Sequence, residues 1–101
     1  MQKDVTMSWG TFDHGRAIVT ESSAQIITTD VKCENNVTIK AASGNTGTVY
    51  IGNSDVTAAT NTATDGYELA AGQSVVLKIN NVKNVYAIGS VNPQTVYWIA
   101  V

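Results

Sequence analysis

With 101 residues, the chain is long enough for one domain with a modest hydrophobic core and too short for two. Charged residues make up only 14% of it, and the formal net charge is -2. The basic residues are scattered, so the clustered positive charge that binding of nucleic-acid phosphates requires is absent from the sequence. A transmembrane helix is also excluded, because no stretch of about 18 apolar residues occurs. We therefore expect no nucleic-acid partner and no membrane association.

Residue types that favour strands dominate the sequence. It contains 13 Val, 8 Ile and 13 Thr but only 2 Leu. β-branched side chains have a restricted χ1 angle and pack better on a pleated sheet than on a helix. The composition thus predicts an all-β fold, with a surface made largely of Thr, Asn, Ser, Gln and Gly.

Cysteine usage indicates synthesis in a reducing compartment. The single Cys33 excludes an intrachain disulfide, and the first residues, MQKDVTMSWG, lack the apolar core of a secretory signal. Cys33 lies among alternating apolar residues, so we expect a buried and unreactive thiol. These features predict folding in a cytoplasm.

Residues 1–15 show no sustained period of two or of 3.6 residues, and we interpret them as an N-terminal arm. Met7, Trp9 and Phe12 lie in this arm between polar residues. Large aromatic side chains need a surface to pack on. We expect that surface to be either the domain of the same chain or a neighbouring subunit.

The first β-prone runs follow the arm. RAIVT (16–20) and AQIITT (24–29) are separated by three residues and are predicted to pair as a hairpin. Alternation then places Val37, Ile39 and Ala41 on one face of a strand. The turn cluster ASGNTG (42–47) predicts a second hairpin, with Ile39 opposite Val49.

Residues 53–66, NSDVTAATNTATDG, form the longest stretch with few large apolar side chains. A connection of this length is unusual in a compact domain. Such loops are either functional or mobile, and the sequence leaves both interpretations open.

Three further strands follow. Residues 73–79 alternate, with Val75, Leu77 and Ile79 inward, and residues 84–90 form the next strand. The last run, residues 95–101, is apolar on both faces, which predicts either a central strand covered twice or a strand between subunits. Seven to eight short strands at this spacing predict an antiparallel β-sandwich or small barrel, formed by residues 16–101 as a single domain.

No constellation of catalytic residues is apparent. His14 follows Asp13 in the predicted arm, and no base and nucleophile can be assembled around it. Asp55, Asp65 and Glu68 could supply a glycosidase pair, but such sites are built on larger scaffolds, and the spacing matches no calcium loop. Solvated turn residues are the better interpretation. We expect no enzyme activity, no cofactor and no metal. The tyrosines and Trp98 suit either a sugar-binding platform or a subunit interface.

Residues 37–101 contain a series of motifs: GTVYIGNSDVT (47–57), the turn GYELAAG (66–72), the strand and the segment VYAIGS that follow, and the terminal VYWIAV (96–101). In these motifs, residues 37–101 resemble small structural proteins of tailed bacteriophages. Proteins with this pattern decorate capsids or belong to head fibres and tails. The resemblance implies a non-enzymatic virion protein, commonly a trimer, with no catalytic residues.

On this resemblance the chain is expected to be a capsid decoration protein that binds the major capsid protein of an assembled phage head. It would be made in the host cytoplasm and located on the virion surface, as a homo-oligomer, with a trimer favoured. The alternative is a tail or head-fibre module that binds host-surface carbohydrate or a receptor. The candidate capsid or subunit contacts are Met7, Trp9, Phe12, Tyr86, Tyr97, Trp98 and Ile99.

Overall fold

The structure is a computed structural model that describes residues 5–6, by their backbone only, and residues 11–101. Ten strands and one short 3₁₀ helix are found in this part of the chain. Their bounds are β1 Val5–Thr6, β2 Asp13–Val19, β3 Ala24–Gln25, β4 Val31–Lys32, β5 Val37–Ala41, β6 Val49–Gly52, β7 Tyr67–Leu69, β8 Ser74–Leu77, the 3₁₀ helix Val82–Asn84, β9 Tyr86–Gly89 and β10 Gln94–Ala100. The predicted all-β class is confirmed.

Eight of these strands form two antiparallel sheets of four. The first sheet has the order β2-β10-β5-β8 and the second has the order β3-β9-β6-β7. The remaining two strands, β1 and β4, form a separate parallel pair. Of the two predicted architectures, the described residues form the sandwich, with no closed barrel.

The strand order defines a jelly roll. The pairs β2–β10, β3–β9, β5–β8 and β6–β7 are nested, as if the chain first folded into one long antiparallel ribbon with its tip between β6 and β7. The contacts β10–β5 and β9–β6 then roll that ribbon into two facing sheets. This is the eight-stranded double-sheet arrangement found in viral capsid and lectin domains.

Both predicted hairpins are wrong, because neighbours in sequence lie in opposite sheets. The strand β2 belongs to the first sheet and β3 to the second, and the same holds for β5 and β6. Ile39 pairs with Trp98 and Val75 rather than with Val49. Ile39 and Val49 are both fully buried in the one core between the sheets.

The predicted inward faces are nevertheless confirmed. Val37, Ile39 and Ala41 are buried on β5, and alternate residues of β10, including Trp98, are buried beside them. Val75, Leu77 and Ile79 are half-buried against the same core. Cys33 is also buried, its Sγ donates to the carbonyl of Ile79 at 3.3 Å, and burial raises its thiol pKa.

The strand β2 begins at Asp13, so residues 13–15, which we predicted to lie in the arm, belong to the first sheet. Gly15 lies opposite Trp98 on β10. A Cβ atom at Gly15 would stand 2.6 Å from Cζ2 of the indole ring, so the ring occupies the place of the missing side chain. No helix in the described part of the chain is long and apolar enough to cross a membrane.

Candidate interaction face

Residues 53–66 fold back as a cover on the outer face of the second sheet. Tyr50 points to that outer face, yet it is only 5% exposed. Val56, within the loop, is also buried. It packs so closely on Gly52 that a Cβ atom added there would stand 2.7 Å from Cγ2 of Val56. Desolvation, with the negative charges of Glu68 and Asp65, raises the pKa of Tyr50.

Asp65 holds this loop together. One carboxylate oxygen accepts from the hydroxyls of Thr57 and Thr60, both at 2.7 Å, and from the backbone N–H of Thr60 at 3.0 Å. The other accepts from the N–H of Asn61 at 2.8 Å and of Thr62 at 3.4 Å. Hydrogen bonds from the Thr60 and Thr57 side chains are the largest causes that hold the pKa of Asp65 far below its ordinary 3.8.

Neutralising Asp65 should loosen the loop while leaving the sandwich folded. We expect Asp65→Asn to speed hydrogen exchange at the amides of Thr60, Asn61 and Thr62, because the amide oxygen is a weaker acceptor than the carboxylate. A carboxylate whose pKa is lowered by folding contributes stability above its unfolded pKa, and that stability is lost as the pH falls through the folded pKa. In the wild-type chain, the protection of these amides, relative to an unstructured peptide at the same pH, should therefore persist at pH 3.8 and be lost only in more acid solution.

Asp55→Asn is the matched control for this experiment, because the Asp55 side chain is exposed in the same loop. Equal acceleration by the two substitutions would contradict the assignment of Asp65 as the organising residue.

The first sheet, in contrast, has an outer face that no described residue covers. Tyr97 is 49% and Ile99 41% exposed on β10, one of the two inner strands of this sheet. Ile18 on β2 and Val76 on β8 are exposed on the same side. We call this surface the open face; its outward residues are His14, Arg16, Ile18, Thr95, Tyr97, Ile99, Thr38, Lys40, Ser74 and Val76.

The charges of the open face have one sign. Arg16 and Lys40 each lie directly opposite Tyr97, on the two strands that flank it. No Asp or Glu is among the outward residues, although the whole chain has more acidic than basic groups. Within the described residues, neither Arg16 nor Lys40 forms an ion pair; the ion pair that does form joins Lys83 to Asp30 at 3.2 Å.

A hollow of about 470 Å³ lies at one end of the open face, between Arg16, Tyr97 and the turn of residues 42–46. The turn forms a fixed wall. The side chain of Asn45 accepts from the N–H of Thr95 and donates to its carbonyl, both at 2.9 Å. Arg16 thus lines a concave site whose opposite wall is held in place by hydrogen bonds.

The predicted contact residues fall into different environments. Tyr97 and Ile99 lie together on the open face, and Phe12 is 60% exposed just before β2. Trp98 is only 4% exposed and lies in the core, so the prediction that it contacts the capsid or another subunit is wrong. Tyr86 is half-buried on the second sheet. Met7 and Trp9 lie outside the described residues.

Of the polar residues considered for catalysis or metal binding, Asp55 and Asp65 line one hollow of about 240 Å³ beside β7. Among the described residues, no group of three or more His, Cys, Asp or Glu side chains could hold a metal ion. His14 is exposed on the open face, and Asp55 is exposed in the loop. The fold places two charged residues beside Tyr97, Arg16 and Lys40. Neither was predicted as a contact residue from the sequence.

The chain matches no protein-family model, no curated protein and no solved structure.

Proposed function

We propose that this chain is a non-enzymatic structural protein of a phage virion, a capsid decoration protein that attaches to the assembled head through the open face. The observation that carries the proposal is the difference between the two sheets. The second sheet is covered by the chain's own loop, whereas the first exposes Tyr97 and Ile99 at the centre of its outer face. Clustered exposed apolar side chains of this kind favour a protein partner.

The topology supports the proposal by analogy. Jelly rolls recur in viral capsid and lectin domains, and the fold by itself selects neither role. The resemblance of residues 37–101 to phage structural proteins favours the virion. The partner would be the major capsid protein, and we propose that the chain binds it as a homotrimer on the virion surface.

The fibre alternative is binding to host-surface carbohydrate or a receptor, through exposed tyrosines and the polar loop 53–66. The loop gives it less support, because the hydroxyl groups of the loop would have to face a sugar. Those groups bond to each other instead: Thr57 to Thr64 at 2.9 Å, Thr60 to Thr62 at 2.8 Å and Thr62 to Thr64 at 3.1 Å. Tyr50 is buried beneath the same loop.

The proposal is tested by binding to undecorated heads of the phage that encodes the chain. Light scattering should first give three times the 10.7 kDa chain mass for the free protein. Cryo-electron microscopy of the mixture should then show saturable density at defined lattice positions. The double variant Tyr97→Ser/Ile99→Ser should bind at least about tenfold more weakly, because central apolar contacts carry most of the energy of an interface.

Tyr67→Ser is the control, since Tyr67 is even more exposed than Tyr97 but lies on β7 of the other sheet. It should bind as the wild type does. Failure of the wild-type chain to bind any form of the head would overturn the proposed function. Equal binding by the double variant and the control would overturn the choice of face.

A further inference from the structure

The open face combines apolar side chains with positive charge, and this combination restricts what it can bind. Arg16, Tyr97 and Lys40 form one row across three neighbouring strands. Adjacent strands are about 4.8 Å apart, so the two cations start about 10 Å from each other with the tyrosine between them. The next row contains Ile99 between His14 and Thr38.

A second copy of the same face is a poor partner for this arrangement. Face-to-face contact of two copies would bring the cations Arg16 and Lys40 together with no carboxylate on either side to compensate. Burying unpaired like charges is costly. A nucleic acid is equally unsuited, because it needs many clustered cations, and its phosphates gain nothing from the neighbouring isoleucine and valine side chains.

We propose that the open face recognises an acidic protein surface, with an Asp or Glu carboxylate of the partner entering the hollow beside Arg16. This inference deepens the proposed function, on which it rests, by naming the chemistry of the partner surface. A guanidinium binds a carboxylate through two parallel hydrogen bonds. The hollow of about 470 Å³ is large enough for such a side chain, and Tyr97 supplies an apolar wall beside Arg16.

The site is prepared for this ligand before binding. The double hydrogen bond between Asn45 and Thr95 holds the turn that forms the far wall. Arg16 has no competing ion pair among the described residues, so no internal salt bridge must break. Lys40, on the other side of Tyr97, would attract a second carboxylate of the same surface. Ile99 and Val76 would pack against the apolar residues around these acids.

The first test uses the isotope-labelled full chain and acetylated tetraglutamate amide as the probe, followed by NMR. The largest amide shifts should fall on Arg16, Lys40, Tyr97 and residues 42–46. The matching tetraglutamine peptide should give none. Arg16→Gln/Lys40→Gln should weaken the response at least about tenfold, whereas Lys32→Gln/Lys83→Gln, which removes two positive charges outside the open face, should leave it unchanged. Equal responses to both peptides, or shifts centred on other lysines, would overturn the carboxylate site.

The second test measures the same variants on undecorated heads. Arg16→Gln/Lys40→Gln should lose at least about tenfold in affinity and most of the salt dependence, while Lys32→Gln/Lys83→Gln binds normally. If the wild-type chain binds heads and both double variants bind equally well, the inference fails and the proposed function stands. If the wild-type chain binds no heads but glutamate peptides shift the hollow, the proposed function fails and the carboxylate site stands.

Discussion

Replacing Trp98 with alanine should cost about 3 to 5 kcal/mol of unfolding free energy, the range for deletion of a large buried aromatic side chain. Trp98 is the central inward residue of β10, and its ring lies directly over Gly15. Because Gly15 has no side chain, nothing on β2 can fill the space that the ring leaves. The total stability of a domain of this size is about 5 to 15 kcal/mol, so the variant should be close to unfolding.

Urea unfolding followed by circular dichroism measures this effect, since the signal does not depend on the deleted indole. The melting temperature should fall by more than about 12 °C. Tyr97→Ala is the matched control, because Tyr97 is the preceding residue on the same strand and faces solvent. A loss below about 1 kcal/mol for Trp98→Ala would contradict the placement of the ring in the core.

Replacing Gln94 with leucine should have the second largest effect, about 1 to 3 kcal/mol, through hydrogen bonds rather than volume. Gln94 is 1% exposed at the start of β10. Its Oε1 accepts from the N–H of Gly47 at 2.9 Å, and its Nε2 donates to the carbonyls of Pro93 at 2.7 Å and Val91 at 3.3 Å. Leucine fills the same space but removes the acceptor of the Gly47 N–H, and a buried unpaired group costs about 1 to 3 kcal/mol. The carbonyls of Val91 and Pro93 belong to exposed residues and can bond to water instead.

Gln73→Leu provides the control for that change. Gln73 accepts from the N–H of Ala70 at 2.9 Å, but in an exposed turn where water can replace the side chain. Its substitution should cost less than about 1 kcal/mol. Hydrogen exchange at Gly47 should accelerate only in Gln94→Leu. If both substitutions destabilise equally, burial is not the reason that Gln94 matters.

The features that the sequence predicted well are those that depend on neighbouring residues. A period of two fixes which side chains share a face, so the inward residues of β5 and β10 could be identified without knowing their partners. The pairing of strands could not be predicted in this way. In a jelly roll, β2 pairs with a strand near the other end of the chain, whereas the pattern of turns suggested pairing with the next strand.

The candidate site was predicted only in part, for the same reason. Alternation alone placed Tyr97 and Ile99 on the second face of β10. That Arg16 and Lys40 flank Tyr97 follows from the register of three strands distant in sequence. The cover formed by residues 53–66 depends on Ala59 and Asn61, which both adopt positive φ and turn backbone N–H groups toward Asp65. Alanine gives no sequence signal for that conformation.

The nested strand pairing also has a consequence for biosynthesis. The strand β10 is an inner strand of the first sheet and pairs with both β2 and β5, which leave the ribosome before it exists. The strand β5 can pair with β8 earlier, but β2 has no partner in the sheet until residues 94–100 have emerged. The nascent chain is therefore expected to expose unpaired strand edges late in synthesis and to be a substrate for holding chaperones.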